Sequence, residues 1–208
     1  MSETGVVKFH SAHTEVRLET FPGFDELNQC RRQLIAHRWL GVDENGIGFG
    51  NLSVRDDHTA RFFITGSGSG AKVELTPNDC VHVIECDFDR NWLRCEGAIV
   101  ASSESLTHAA IYRFCAAVGA VIHIHDEALW QRSIGQVPST SEDVEYGTPG
   151  MALEVGRLFR ETNIVDAKVF RMTGHRGGLV AFGSTMREAF VVLEAFNRKL
   201  PNFPATAE

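Results

Sequence analysis

Two histidines separated by a single residue are the side chains of this sequence best suited to chemistry. They are His123 and His125, at the end of the apolar run VIHIH that spans residues 121–125. Successive side chains of a β-strand point to opposite faces, so we expect both histidines on one face and Ile122 and Ile124 on the other. Two adjacent imidazoles suit a metal ion such as zinc, which takes nitrogen ligands. They also suit a strand end whose polar face meets water, and the pair alone leaves both interpretations open.

A third histidine would be needed for a catalytic metal site, which uses three protein ligands and keeps one position open. The candidate is His175, which ends the segment AKVFRMTGH and precedes Gly177 and Gly178. Glycines at that place allow the backbone to approach a bound group closely. Spacing does not by itself prefer His175 to His82 or His108, although an ordinary buried or surface histidine is the more common situation for those two.

Three segments rich in glycine and hydroxyl side chains form a second group of candidates. They are GNLS at 50–53, TGSGSG at 65–70 and SSE at 102–104. Backbone N–H groups in such loops, together with the positive end of a helix dipole, can bind phosphate or carboxylate without a lysine. Each segment taken alone is more typical of an ordinary turn, because glycine and serine dominate turns for conformational reasons.

The elements that must position these residues alternate between helices and strands. Apolar residues at helical spacing predict helices over 24–40, 102–118 and 151–162 and a last one from Ser184. Alternating segments predict one hairpin around residues 56–58, another around 89–91, and strands over 121–125, 167–175 and 178–183. This order predicts an α/β sandwich with a largely antiparallel sheet.

Two helix starts carry their own signals. Ser102 or Ser103 is expected to cap the second helix, which leads directly into the His-x-His strand. Thr185 and Glu188 have the spacing of a capping box at the start of the last helix.

Composition narrows the classes of function. The 208 residues suffice for one domain with a substantial core, and a net charge of −7 disfavours partners such as nucleic acid or an anionic membrane surface. No apolar stretch approaches the length of a membrane span, and the N-terminus lacks the pattern of a signal peptide. Five cysteines without a CxxC pair fit buried thiols in a reducing compartment. We therefore expect a cytoplasmic protein.

Taken in order, the segments GNLSVR, ITGSG, ASSE, VIHIH and the late GH resemble the class II aldolase/adducin family over residues 24–198. The resemblance implies a single-domain three-layer α/β/α sandwich over 24–200, between an N-terminal extension at 1–23 and a C-terminal tail at 201–208. It also implies a homotetramer with active sites at the subunit interfaces.

The resemblance further assigns roles to individual residues. It implies a divalent metal ion, usually zinc, bound by His123, His125 and His175, with Glu104 as the catalytic acid/base. It places the phosphate of the substrate against residues that offer small or polar groups, namely Gly50, Asn51, Ser67, Gly68, Ser102 and Ser103.

The activity implied is a metal-dependent lyase that catalyses reversible aldol cleavage of a small hydroxycarbonyl compound, such as a sugar phosphate. A metal ion with an open position would stabilise the enediolate as a Lewis acid. A dehydratase or an epimerase on the same metal site is an alternative, because the same enediolate can lose water or be reprotonated differently. A non-catalytic assembly protein of the adducin type is the alternative from another class.

The sequence departs from the family after the His-x-His strand. Sugar-phosphate aldolases of this type use a tyrosine of the neighbouring subunit to protonate the leaving aldehyde, and no tyrosine fits that place here. Glu142 or Tyr146 is expected to take this role. Asp126 and Glu127 replace the serine common in relatives, with Glu127 expected to face solvent and the position of Asp126 left open.

Overall fold

The computed structural model describes residues 9–57 and 59–200. Its strands are β1 (His10–Glu15), β2 (Gly41–Val42), β3 (Gly48–Phe49), β4 (Asn51–Arg55), β5 (Phe62–Thr65), β6 (Cys80–Asp87), β7 (Trp92–Gly97), β8 (Ala120–His125), β9 (Val169–Arg171) and β10 (Gly178–Gly183). Its α-helices are α1 (Phe24–Ala36), α2 (Ser105–Phe114), α3 (Glu127–Arg132), α4 (Pro149–Glu161), α5 (Ile164–Ala167) and α6 (Met186–Lys199). His58 and the predicted tail at 201–208 lie outside the described residues.

One eight-stranded sheet forms the centre of the molecule, with the strand order β1-β7-β6-β5-β4-β8-β10-β9. The pairs are antiparallel except β1 with β7, which is parallel. Both predicted hairpins are present, as β4 with β5 and β6 with β7. The order places β8, which carries the two histidines, between β4 and β10 in the interior of the sheet.

Helices cover both faces of this sheet and create two hydrophobic cores. Val121 and the apolar side chains of α2 and α4 belong to the first core. Ile122, Ile124 and the apolar side chains of α1, α3 and α6 belong to the second. This separation follows from the strand period of two, which sends successive side chains of β8 to opposite layers. It confirms the predicted three-layer α/β/α sandwich with a largely antiparallel sheet.

The observed ends of three elements differ from the predictions. Helix α1 ends at Ala36 rather than at 40, and Arg38 then adopts a left-handed conformation with φ of 60°. Neither Ser102 nor Ser103 caps α2, because Glu104 occupies that position without a side-chain cap. The strand predicted over 167–175 ends at Arg171, so His175 lies in the turn that follows.

The start of α6 shows a modified capping box. The Thr185 hydroxyl accepts a hydrogen bond from the Glu188 N–H, as predicted. The Glu188 carboxylate accepts from the N–H and hydroxyl of Ser184 instead of closing the box on Thr185.

Residues 10–15 of the predicted N-terminal extension form β1, which adds an edge strand to the sheet through its pairing with β7. In the part of the chain that the structure describes, no helix combines the length and the apolar character needed to cross a bilayer.

Candidate metal centre and adjoining cavity

Strand β8 holds His123 and His125 on one face, with their Nε2 atoms 3.1 Å apart. His123 is paired with Asn51 of β4, and His125 with Gly178 of β10. The backbone of both histidines is therefore fixed by the interior of the sheet. Their placement on one face confirms the alternation predicted from the sequence.

His175 reaches the same point from a tight turn between β9 and β10. Its N–H donates to the carbonyl of Met172, and the N–H of Gly178 donates to the carbonyl of His175. A Cβ at Gly178 would lie 2.7 Å from Cδ2 of the His175 ring, so glycine at that position makes room for the imidazole. The His175 ring centroid lies 5.4 Å from that of His123 and 4.4 Å from that of His125.

One ligand nitrogen from each of His123, His125 and His175 lies within 4.8 Å of the other two, and the described residues contain no other such cluster. The two alternative candidates for the third metal ligand form contacts with other side chains. His82 Nε2 contacts the carboxylate of Asp56, and His108 Nδ1 contacts the hydroxyl of Ser53.

The protonation states of His123, His125 and His175, the histidine triad, favour the binding of a cation. His123 Nδ1 donates to the carbonyl of Leu179, which leaves Nε2 with its lone pair facing the cluster. Burial, followed by the neighbouring histidines, holds the pKa of His123 well below its ordinary value. Burial also lowers the pKa of His125 to about 4. Neutral imidazoles are the form that binds metal, and nitrogens this close need a shared proton or a shared cation between them. The three side chains therefore fit a divalent metal ion.

Glu104 lies beside this triad at the N-cap of α2, with only 2% of its surface exposed. Its Oε1 is 3.8 Å from Nε2 of His175, and its Oε2 accepts a hydrogen bond from the Thr107 hydroxyl. A buried carboxylate in this position can exchange a proton with a molecule bound at the histidines.

A cavity of ≈ 240 Å³ adjoins the triad, and Glu104 lines it too. The residues expected to bind an anion all line this cavity, namely Gly50, Asn51, Ser67, Gly68, Ser102 and Ser103. The amide Nδ2 of Asn51 donates to the Ser102 hydroxyl, which links β4 to the start of α2. Segments distant in sequence thus form one continuous polar wall.

The structure separates the two candidates for the proton donor. Tyr146 is 5% exposed, lines the cavity and has its ring centroid 4.3 Å from that of His175. Glu142 is exposed and does not line the cavity.

The two acids that follow the ligand pair have structural contacts. Asp126 caps α3 through the N–H of Leu129 and also accepts a hydrogen bond from the Trp39 indole. Glu127 is exposed, as expected, and forms an ion pair with Arg176.

Phe49 and Arg31 carry no signal that sequence reasoning could use, and Ser53, from the predicted segment GNLS, is not among the cavity-lining residues. Phe49 lines the cavity with its ring centroid 5.9 Å from that of His125. Ser53 joins His108 and Tyr112 in a buried hydrogen-bond network. Arg31, from a helix that seemed only amphipathic in the sequence, reaches the loop after β5.

Comparisons with known proteins agree with this geometry. The model of the class II aldolase and adducin N-terminal domain matches residues 26–200. The L-fuculose-1-phosphate aldolase of Thermus thermophilus is 25% identical, with 84% of this chain and 89% of that chain covered and a TM-score of 0.61.

Two further solved structures share the fold. The sugar-phosphate aldolase of Thermotoga maritima is 17% identical, with coverage of 85% and 90% and a TM-score of 0.58. YgbL of Klebsiella pneumoniae, described with aldolase, epimerase and decarboxylase as alternatives, is 20% identical, with coverage of 85% of both chains and a TM-score of 0.61. No curated protein matches significantly in sequence. Because the family model spans most of the chain, this protein belongs to the class II aldolase and adducin family.

Proposed function

We propose that this protein is a metal-dependent lyase that cleaves a small hydroxycarbonyl compound bearing an anionic group, by a reversible aldol reaction. The observation that carries the proposal is the convergence of three histidines and Glu104 on a cavity that glycine and hydroxyl groups also line. His123, His125 and His175 would hold the metal ion, which we propose to be zinc. When bound, such an ion supplies Lewis-acid polarisation of a carbonyl oxygen.

Glu104 is proposed to move the proton during cleavage. Its Oε1 faces the histidines, while Oε2 is fixed by the Thr107 hydroxyl. One oxygen is therefore oriented by the protein, and the other is directed towards the place where substrate would bind. A base positioned in this way can take a hydroxyl proton and return it to carbon.

The polar wall is proposed to bind the anionic group through Gly50, Ser67, Gly68 and Ser103 together with two coupled side chains, Asn51 and Ser102. Among the described residues, Asn51 Oδ1 is buried and has no hydrogen-bond partner. A bound anion favours the opposite amide orientation, in which Nδ2 faces the ligand and the Ser102 hydroxyl donates to Oδ1. This wall would accept a phosphate, and its neutral donors also suit a carboxylate.

We propose Tyr146 as a proton relay, because its ring lies against His175 in the cavity. In cleavage its oxygen would accept the hydroxyl proton of the fragment that leaves as the aldehyde while its own proton passes to Glu104, and in condensation it would protonate the aldehyde oxygen. Glu142 could serve only the cavity of a neighbouring subunit, since it lies outside its own. A dehydratase or an epimerase remains the second candidate, supported by the alternative activities given for YgbL, which shares the fold.

We further propose a cytoplasmic homotetramer, with a small-molecule substrate bound at each subunit boundary. The unpaired cysteines support a reducing compartment. The exposed aliphatic side chain of Leu153, 68% exposed on α4, is consistent with a subunit contact. Sedimentation equilibrium would test the assembly, and a monomer at working concentration would contradict it.

The experiment that tests the function is metal analysis of untagged protein, followed by a screen of aldehyde and ketone pairs for cleavage and condensation. We expect about one zinc or similar ion per chain. His125→Ala should lose metal and activity together, whereas His37→Ala, at an exposed histidine, should retain both. Full activity in metal-free His125→Ala protein would disprove the mechanism, and wild-type protein that takes up no zinc would favour a non-catalytic role.

A further inference from the structure

The glycine-rich loop that follows β5 accepts hydrogen bonds from a buried arginine of α1. Nε of Arg31 donates to the carbonyl of Lys72 at 2.7 Å, and Nη2 donates to the carbonyls of Ser69 at 2.7 Å and Gly70 at 3.1 Å. One side chain thus binds three carbonyl oxygens within four residues. The planar guanidinium, with several donors fixed in one plane, is the side-chain group suited to this arrangement.

This use of an arginine is unusual for the interior of a protein. Arg31 is only 1% exposed, and among the residues that the structure describes it has no carboxylate within ion-pair distance, although Asp79, which pairs with Lys72, acts on its charge from farther away. Leaving an arginine without a direct counterion in the interior is costly unless its hydrogen bonds have a purpose. This cost indicates that Arg31 serves to maintain the conformation of the loop. It does not serve to form an ion pair of the kind found on the surface.

The same helix supports the rest of the loop. Asn28, one turn before Arg31, donates to the carbonyl of Leu75 and accepts from its N–H. On the other side the loop packs tightly, since a Cβ at Gly70 would lie 2.4 Å from the carbonyl oxygen of Gly41. The loop is therefore fixed between α1 and the strand pair β2–β3.

The orientation of this loop decides whether it can receive an anion. Ser67, Gly68, Ser69 and Gly70 all line the cavity, and no lysine or arginine is among the cavity-lining residues. A loop that binds an anion without a cation in contact must present N–H and hydroxyl groups and turn its carbonyl oxygens away. Arg31 holds the oxygen of Gly70 and shares that of Ser69 with the N–H of Lys72, so that neither oxygen is free to repel a negative charge.

We infer that Arg31 is a positioning residue for anion binding: it keeps the carbonyls of Ser69, Gly70 and Lys72 directed away from the cavity so that the loop can bind the anionic group of the substrate. Arg31 does not line the cavity itself. The inference rests on the proposed function, because it assumes that the glycine-rich loop is where the anionic group binds.

The test is the affinity of zinc-loaded, full-length protein for inorganic phosphate, measured by calorimetry below the unfolding temperature. Arg31→Met removes all three hydrogen bonds, and Arg31→Lys keeps the charge without the planar set of donors. Arg32→Met is the matched control, because Arg32 is the next residue and pairs with Glu74 on the surface. We expect both Arg31 variants to bind phosphate about tenfold or more weakly with full zinc content, and Arg32→Met to bind as wild type does.

Hydrogen exchange of the peptide that covers residues 66–75 provides a second readout. The loop amides should exchange faster in both Arg31 variants than in Arg32→Met, while the peptide containing His123 and His125 keeps its protection. Restored phosphate affinity in Arg31→Lys would overturn the inference, because charge alone would then be sufficient.

The remaining outcomes are also decisive. Unchanged phosphate affinity in Arg31→Met contradicts the inference, and so does failure of both Arg31 variants to fold, because Arg31 would then support the whole fold rather than the loop. Absence of phosphate binding by the wild type overturns it too, and zinc content with aldol turnover in that protein would show that the proposed lyase function survives.

Discussion

At the residue scale, the role of Glu104 can be separated from metal binding. Glu104→Gln keeps the size of the side chain and an oxygen that can accept from Thr107. It removes the proton-carrying group, so we expect turnover to fall by roughly 10²- to 10⁴-fold with full zinc content. Turnover and metal analysis on the same preparation measure both effects. Glu127→Gln, at an exposed acid, is the control, and near-normal turnover in Glu104→Gln would contradict the proposed role.

Gly50 gives a second prediction, on stability. It has φ of 74°, and a Cβ there would lie 2.2 Å from Cδ2 of Leu40 and 3.0 Å from the carbonyl oxygen of His123. Gly46 has a similar φ of 76° but open space around it, so Gly46→Ala reports the backbone strain alone. We expect Gly46→Ala to lower the free energy of unfolding by about 1 kcal/mol and Gly50→Ala by about 2–4 kcal/mol.

Urea denaturation of the two glycine variants, read by circular dichroism, gives the comparison directly. Equal losses in both would mean that the contact with Leu40 and the His123 backbone relaxes without cost. The difference between them isolates the close approach that places β4 against the strand of His123 and His125.

Part of the site could be predicted from the sequence, and individual residues show why. Strand alternation is a local rule, so it predicted correctly that His123 and His125 share a face. Nothing local separated Tyr146 from Glu142, because their positions depend on a long loop that packs against His175. Arg31 gave no signal either, since an arginine on a helix is typical of a solvated face.

At the scale of elements, α3 directly follows β8, the strand of His123 and His125, and depends on one cap. Asp126 accepts from the N–H of Leu129 and from the Trp39 indole, which joins the end of β8 to the segment after α1. Asp126→Ala should lower the free energy of unfolding by about 1–3 kcal/mol, because it removes a helix cap and leaves the buried indole N–H without its partner.

Denaturation and zinc content of Asp126→Ala test this prediction. Asp126→Asn is the matched variant, since asparagine is also a good N-cap and should recover part of the loss. Both variants should bind zinc, because Asp126 points to Trp39 and not to the triad. Loss of zinc in Asp126→Asn would instead make Asp126 part of the metal centre.

The helices and strands could be predicted from the sequence where the periodic pattern of apolar residues was long. Helices with apolar stripes and hairpins around polar turns were predicted at nearly the observed positions, because amphipathic periodicity reflects burial on one side. Strand β1 was missed because all six of its residues are exposed, so no apolar alternation marks HSAHTE as a strand. Strands β2 and β3 have two residues each, too few for any periodicity.

At the scale of the whole molecule, the order of strands could not be read from local patterns. Strand β8 lies between β4 and β10, which are distant from each other in the sequence, and this placement brings Asn51 and Gly178 to the two histidines. Such pairing depends on the packing of both cores at once. The resemblance to a family supplied the sandwich and the grouping of distant segments into one site, but not the order of the strands.

The last prediction concerns the stability of the metal-free protein as a function of pH. Burial lowers the pKa of His108 to about 3 and that of His125 to about 4, from an ordinary value of 6.5. Between pH 6.5 and about 4 the unfolded chain therefore binds protons that the folded protein does not. The free energy of unfolding should fall with decreasing pH in that window, by about 1.4 kcal/mol per pH unit for each buried histidine. The pKa of Glu188, lowered to about 2, contributes only below about pH 4.5.

Urea denaturation of chelator-treated protein between pH 7.5 and 4.5 measures this slope. His108→Gln should reduce this slope by about 1.4 kcal/mol per pH unit, the contribution of one histidine, because one buried imidazole no longer gains a proton on unfolding. Bound zinc should raise the free energy of unfolding across this window, since the ion binds the neutral imidazoles of the folded protein. A flat profile for the metal-free protein over this range would mean that the buried histidines already share a proton in the folded state.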